Sequence, residues 1–116
     1  MKRDILFLGH VLSSIAKIRE YTTGIEQRDF MTQSMLQDAV IRQLEIIGEA
    51  VKNVSASTKA RRPSIRWKDI AGMRDRLIHG YFGVDLEAVW ITVQKDVLFL
   101  QQAIESLLEE LTSAEN

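Results

Sequence analysis

A chain of 116 residues, 46% hydrophobic and 27% charged, has the length of one domain with one modest apolar core, and its lack of cysteine excludes disulfides, thiolate chemistry and cysteine-ligated metals. The formal net charge is only −1, yet it is unevenly spread: Lys59 to Arg76 holds seven basic residues against two acidic ones, a net +5, and the remainder carries −6. Such a basic segment suits a nucleic-acid groove, and its alternative is a solvated face that happens to be basic.

Apolar residues recur at helical spacing along nearly the whole chain, and strand alternation is hard to find. A first helix is predicted from about Asp4 to Tyr21, with Ile5, Leu8, Leu12, Ile15 and Ile18 along one stripe and Thr22-Thr23-Gly24 as its stop. Charges at Lys17, Arg19 and Glu20 make this segment an amphipathic helix rather than a signal peptide. No run has the length of a membrane span, so a cytoplasmic protein with no membrane contact is expected.

A second long helix is predicted to start near Asp29, as its cap, and to present Leu36, Val40, Leu44, Ile47, Val51 and Val54 before fraying at Ser55-Ala56-Ser57. Met31 and Met35 read as flexible core filler. The only proline stands in Arg61-Arg62-Pro63-Ser64 and breaks the pattern. A shorter helix should cover Trp67 to Ile78, with Ile70, Met73 and Leu77 inward, and Gly80 and Gly83 at its exit.

Asp85 then caps a last long helix whose apolar residues include Leu86, Val89, Val93, Val97, Leu100, Ile104, Leu107 and Leu111, with 111–116 as a frayed tail. The sum is an all-α, four- to five-helix up-and-down bundle, a single domain over 1–116. Trp90, Ile91, Leu98 and Phe99 widen the last stripe beyond what one core needs, which favours a homodimer. Trp67 and Trp90 are expected to anchor the core or an interface, with base stacking as the lesser option.

The densest chemistry lies in Arg74-Asp75-Arg76-Leu77-Ile78-His79-Gly80-Tyr81. Arg74 and His79, five positions apart, are rotated about 140° on an ideal helix, so their pairing relies on the long arginine stem and a helix that loosens before Gly80. Asp75 is four positions before His79, shares its face and can orient the imidazole, while Arg76 acts on it with the opposite sign. These groups suit metal-free cleavage of RNA by its own 2′-hydroxyl: histidine moves protons near neutral pH, and arginine holds the phosphate as charge builds on it. The alternative is an ordinary charged helix end favoured by the helix dipole. His10 reads as a structural or surface residue. No metal or cofactor is expected, since the carboxylates are scattered and there is no glycine-rich phosphate loop.

The phrase from Trp67 to Tyr81, with Leu44-Glu45-Ile46-Ile47-Gly48-Glu49-Ala50 before it, resembles the HepT-like family within the all-helical HEPN group. The family's ribonuclease signature is Arg, four residues, His, one residue, Tyr, matched here by Arg74, His79 and Tyr81. The resemblance implies an endoribonuclease toxin of a toxin–antitoxin pair, with Arg74 and His79 catalytic. It also implies a homodimer whose two motifs share a cleft, and a minimal nucleotidyltransferase antitoxin that transfers AMP to Tyr81. One departure stands beside the motif: the residue after the arginine is often asparagine, and here it is Asp75, a negative charge near the expected phosphate.

Arg61, Arg62, Arg66 and Lys68 are the expected RNA contacts. Glu45 and Glu49, one turn apart, either form a solvated acidic face or hold Arg74 or Arg76 in place, and Gly48 between them would let another helix approach closely. The rival readings are a catalytically inactive helical protein that only binds a nucleotidyltransferase or RNA, and a nucleotide-binding role.

Overall fold

The computed structural model describes residues 2–73, 75 and 83–115. Helices dominate it, and no β-strand occurs among the described residues. The elements are α1 (Lys2–Thr22), α2 (Gln27–Thr32), α3 (Ser34–Lys52), α4 (Ala56–Lys59), α5 (Trp67–Ala71), α6 (Leu86–Ile91), a π-helical turn (Thr92–Asp96) and α7 (Val97–Glu115). The expected all-α bundle is therefore present, with three long helices. α1 packs against α3 and α7, and α5 covers α3.

Contacts at opposite ends of α1 show that it runs antiparallel to both long neighbours. Near its start, Arg3 Nη2 donates to Asn53 Oδ1 just past α3 (3.3 Å); near its end, Arg19 Nη1 donates to Gln101 Oε1 in the first turns of α7 (2.6 Å). Gly24 ends the hairpin turn with φ 74, a left-handed conformation that favours glycine. Leu8, Val11, Ile15 and Ile18 of α1 are fully buried against Val40, Leu44, Ile47 and Val51 of α3 and Ile104 and Leu107 of α7.

Several expectations are corrected. The second helix is two helices, because Gln33 is extended (φ −113, ψ 97) and breaks the chain between α2 and α3. Phe30 is fully buried and packs on Trp90 at 5.3 Å between ring centroids, so α2 turns to bring it inward; Gln37 Nε2 donates to the Phe30 carbonyl at 2.8 Å across the break. Asp29 is not the cap. Glu26 is, and Asp29 Oδ2 accepts from the Glu26 amide at 3.0 Å, three residues back.

Met31 and Met35 are exposed rather than core filler, Met35 at 86%. Trp90 belongs to the core, so the unsatisfied apolar residues of the last helical segment reduce to Ile91, Leu98 and Phe99. Where a tail frayed from 111 was expected, α7 continues to Glu115 and Leu111 is buried. Asp85 does cap its helix, its Oδ1 accepting from the Ala88 amide at 3.0 Å.

Two features hold the 53–71 segment in place. The first is Asp4, a buried carboxylate on α1. Its Oδ1 accepts from the Ser55 amide (2.8 Å), and its Oδ2 accepts from the hydroxyls of Ser55 (2.7 Å) and Thr58 (2.5 Å). Burial alone pushes this carboxyl up, but the bonds from Thr58, the Ser55 hydroxyl and the Ser55 amide outweigh it and hold the pKa below its ordinary value. The ionised form is thus favoured by folding. Its contribution is complete above the unfolded-state value and is lost as pH falls from there towards the folded-state one. Asp4→Asn should cost about 1–3 kcal/mol near neutrality, and the gap between its melting temperature and the wild type's should narrow as pH falls below the unfolded-state value of about 4.

The second is Gly48 on α3. A Cβ there would lie 3.1 Å from the Ile70 carbonyl oxygen and 3.4 Å from that of Ala71, so the missing side chain is what lets α5 sit on α3, as expected. Gly48→Val should destabilise by about 1–3 kcal/mol in denaturant titrations through this overpacking. Gly48→Ala should cost less, because alanine regains about 1 kcal/mol of helix propensity.

Candidate functional site

Of the expected site residues, Arg74, Arg76, His79 and Tyr81 lie outside the described residues. Of the others, Glu45, Glu49, Asp75, Arg66 and Lys68 line two neighbouring grooves, and Arg61 and Arg62 line neither.

The first groove, about 500 Å³, is walled by α1 and α3 and reaches Asp75. Glu45 and Glu49, one turn apart on α3, line it together with Asp75, so three of the four supporting residues named above meet on one surface. Glu49 Oε2 is 3.8 Å from Lys52 Nζ, an exposed pair that contributes little to stability. Arg42 lines the same groove, as do His10 and Phe7 of α1. His10 is an exposed surface residue whose ring meets Phe7 edge-on, with centroids 5.7 Å apart, and the Arg3 guanidinium lies 5.6 Å from the Phe7 ring centre. That an α1 histidine borders the Asp75 groove was not foreseen, because 65 positions of sequence separate the two residues. No cluster of three or more His, Asp or Glu side chains arranged to hold a metal occurs among the described residues.

The second groove, about 690 Å³, is lined by Lys52, Lys59, Arg66, Lys68 and Asp69 with Ala56, Trp67 and Ala71. It shares Lys52 and Ala71 with the first, so the two are neighbours. The structure divides the basic segment. Arg66 and Lys68 reach this groove, Arg66 Nε pairing with Asp69 Oδ2 at 2.7 Å. Arg61 and Arg62 are instead tied to α7, their Nη1 atoms 3.2 and 3.6 Å from the two oxygens of Glu110, with Arg62 Nη2 donating to Ser106 at 3.3 Å. Trp67 is a core anchor, its Nε1 donating to the carbonyls of Lys59 and Arg62 at 3.1 Å each. That bond fixes the turn carrying the basic residues before the chain enters α5.

An all-helical bundle among the described residues, in a chain that carries an Arg-x4-His-x-Tyr segment in its sequence, has the HEPN-like architecture. No helix among the described residues is long and apolar enough to cross a membrane. Residues 11–107 match the family described as "Ribonuclease HepT-like", and the chain belongs to that family.

The chain is 46% identical over 117 residues to a Methanocaldococcus jannaschii protein named as a gamma-glutamylcyclotransferase and, provisionally, an RNase; the match covers 100% of this chain but 53% of that protein. It is 39% identical over 110 residues to a protein of Caldanaerobacter subterraneus subsp. tengcongensis provisionally named an RNase, covering 95% of this chain and 98% of the relative. A protein of Thermococcus cleftensis provisionally named ribonuclease HepT is 45% identical over 101 residues, covering 87% and 92%. The chain thus spans about half the length of the first of these relatives and nearly all of the other two. No solved structure matches it.

Proposed function

We propose that this protein is a metal-independent endoribonuclease that acts as the toxin of a toxin–antitoxin pair. The observation that carries the reading is the family match over residues 11–107, which includes Arg74, His79 and Tyr81 in signature spacing. In the reaction, the 2′-oxygen of one nucleotide attacks its own 3′-phosphorus, the phosphorus–O5′ bond breaks, and the products are a 2′,3′-cyclic phosphate and a 5′-hydroxyl. His79 serves the proton transfers, taking one from the nucleophile or giving one to the leaving O5′. Arg74 stabilises the charge on the phosphoryl oxygens.

Asp75 supports His79, and Glu45 and Glu49 border the groove from α3. Arg66 and Lys68 are the RNA contacts favoured by their place in the basic groove, while Arg61 and Arg62 would have to give up Glu110 to join them. Two copies pair so that both motifs open on one cleft; exposed Ile91, Leu98 and Phe99 are the apolar surface that supports a homodimer. The partner that silences it is a minimal nucleotidyltransferase that attaches AMP to Tyr81.

The test is cleavage of a labelled RNA by wild-type protein with EDTA present, with the new ends identified by mass spectrometry. Cyclic phosphate and 5′-hydroxyl ends are expected. A protein that binds RNA or the nucleotidyltransferase but never cuts would instead establish the inactive binding protein, and strict dependence on an added divalent metal would end the metal-free mechanism.

A further inference from the structure

The basic groove draws its charge from three separate elements: Lys52 from the last turn of α3, Lys59 from the end of α4, and Arg66 and Lys68 from the entry and first turn of α5. Lys52 lies outside the basic segment of the sequence, so its presence is a product of folding and not of a charged run. Among the described residues Asp69 is the one carboxylate in the lining and is held by Arg66, which leaves Lys52, Lys59 and Lys68 as the uncompensated charge of the described surface apart from the weak Glu49–Lys52 pair. Among the described residues, Lys59 and Lys68 make no ion pair. Lys52 and Ala71 also line the groove that reaches Asp75, so the two surfaces are neighbours.

We infer that the basic groove is a track for the backbone phosphates of single-stranded RNA flanking the cleaved bond, with Lys52 and Lys59 as contacts beyond the Arg66 and Lys68 already named. The inference rests on the ribonuclease reading for the identity of its ligand. A strand whose phosphate meets Lys52, at the border of the groove that Asp75 lines, can meet Lys59 and Lys68 with its next phosphates. Ammonium groups on flexible stems suit this task, since they neutralise phosphate without demanding a base sequence. Trp67 holds the Lys59 carbonyl, so the track is anchored to the core rather than draped over a loose loop.

The test compares wild type with a Lys52→Gln/Lys59→Gln double variant, and with a charge-matched Lys17→Gln/Lys95→Gln variant whose positions line neither groove. Binding of a fluorescent single-stranded RNA is followed by anisotropy across a salt series, and cleavage of the same RNA is measured in parallel. The track variant should bind several-fold to tenfold more weakly, with the slope of log affinity against log salt shallower by about 1.4, since each lost phosphate contact removes about 0.7. The control variant should keep the wild-type slope.

Equal slopes in the wild type and the track variant would overturn the inference while cleavage by wild type still upheld the ribonuclease reading. A reduced slope with no cleavage by wild type would uphold the track and sink that reading. A wild-type protein that neither binds nor cuts would overturn both.

Discussion

His79→Ala protein is expected to cleave RNA about 10²–10⁴-fold more slowly than wild type, the range associated with losing a positioned general acid or base. Arg74→Ala should lose activity on a similar scale, because a guanidinium aimed at the phosphoryl oxygens acts on charge that grows towards the transition state. Single-turnover cleavage in EDTA measures both. Thermal melts that match wild type would show that the loss is one of chemistry and not of fold. Since the two groups act on one displacement, the double variant should be little slower than the worse single one. Wild-type cleavage by the His79→Ala protein would end its acid–base assignment.

Tyr81→Phe should separate activity from control. Incubated with the nucleotidyltransferase and ATP, wild type should gain the mass of an adenylyl group and stop cutting, while Tyr81→Phe keeps its mass and its activity. The expectation rests on charge and bulk: an added phosphodiester two residues from His79 in sequence would repel the RNA phosphates that the site must receive. Intact mass spectrometry settles the acceptor. Modification of Tyr81→Phe to the wild-type level would move it elsewhere, most simply to Tyr21, the chain's other tyrosine.

The helices were legible because their apolar residues repeat with the turn of the helix, and the stops at Gly24 and the cap at Asp85 were legible because each has local chemistry. The break at Gln33 has none: neither glycine nor proline marks it, and its cause is the burial of Phe30 against Trp90, 60 positions further on. The Asp4–Ser55–Thr58 cluster was missed for the same reason, since an aspartate in a first turn looks like a partner for the helix dipole and not like a tertiary acceptor.

At the site, spacing alone placed Glu45 and Glu49 on one face, and Gly48 was read correctly as a contact point. The division of the basic segment, with Arg61 and Arg62 turned to Glu110 and Lys52 recruited from outside, depends on where α7 and α3 lie in space and leaves no trace in a charge count.

The π-helical turn at Thr92–Asp96 has a consequence for how this chain tolerates change in length. Val89, Val93 and Val97 are buried at two successive intervals of four, a spacing that a uniform α-helix carries about 80° around its axis. The wider turn takes up that excess, so that the regular three-and-four rhythm of Val97, Leu100, Ile104, Leu107 and Leu111 begins already facing the core. Removing one residue between Val93 and Val97 would restore an ordinary helix whose buried positions recur at three and four, so α7 would keep Leu100 and Ile104 on the core, whereas a deletion in the regular helix after Val97 would swing everything beyond it by about 100°. The segment therefore accepts exchange of its exposed letters, Gln94 and Lys95 among them, and is also the place in this helix where the loss of one residue disturbs the core least.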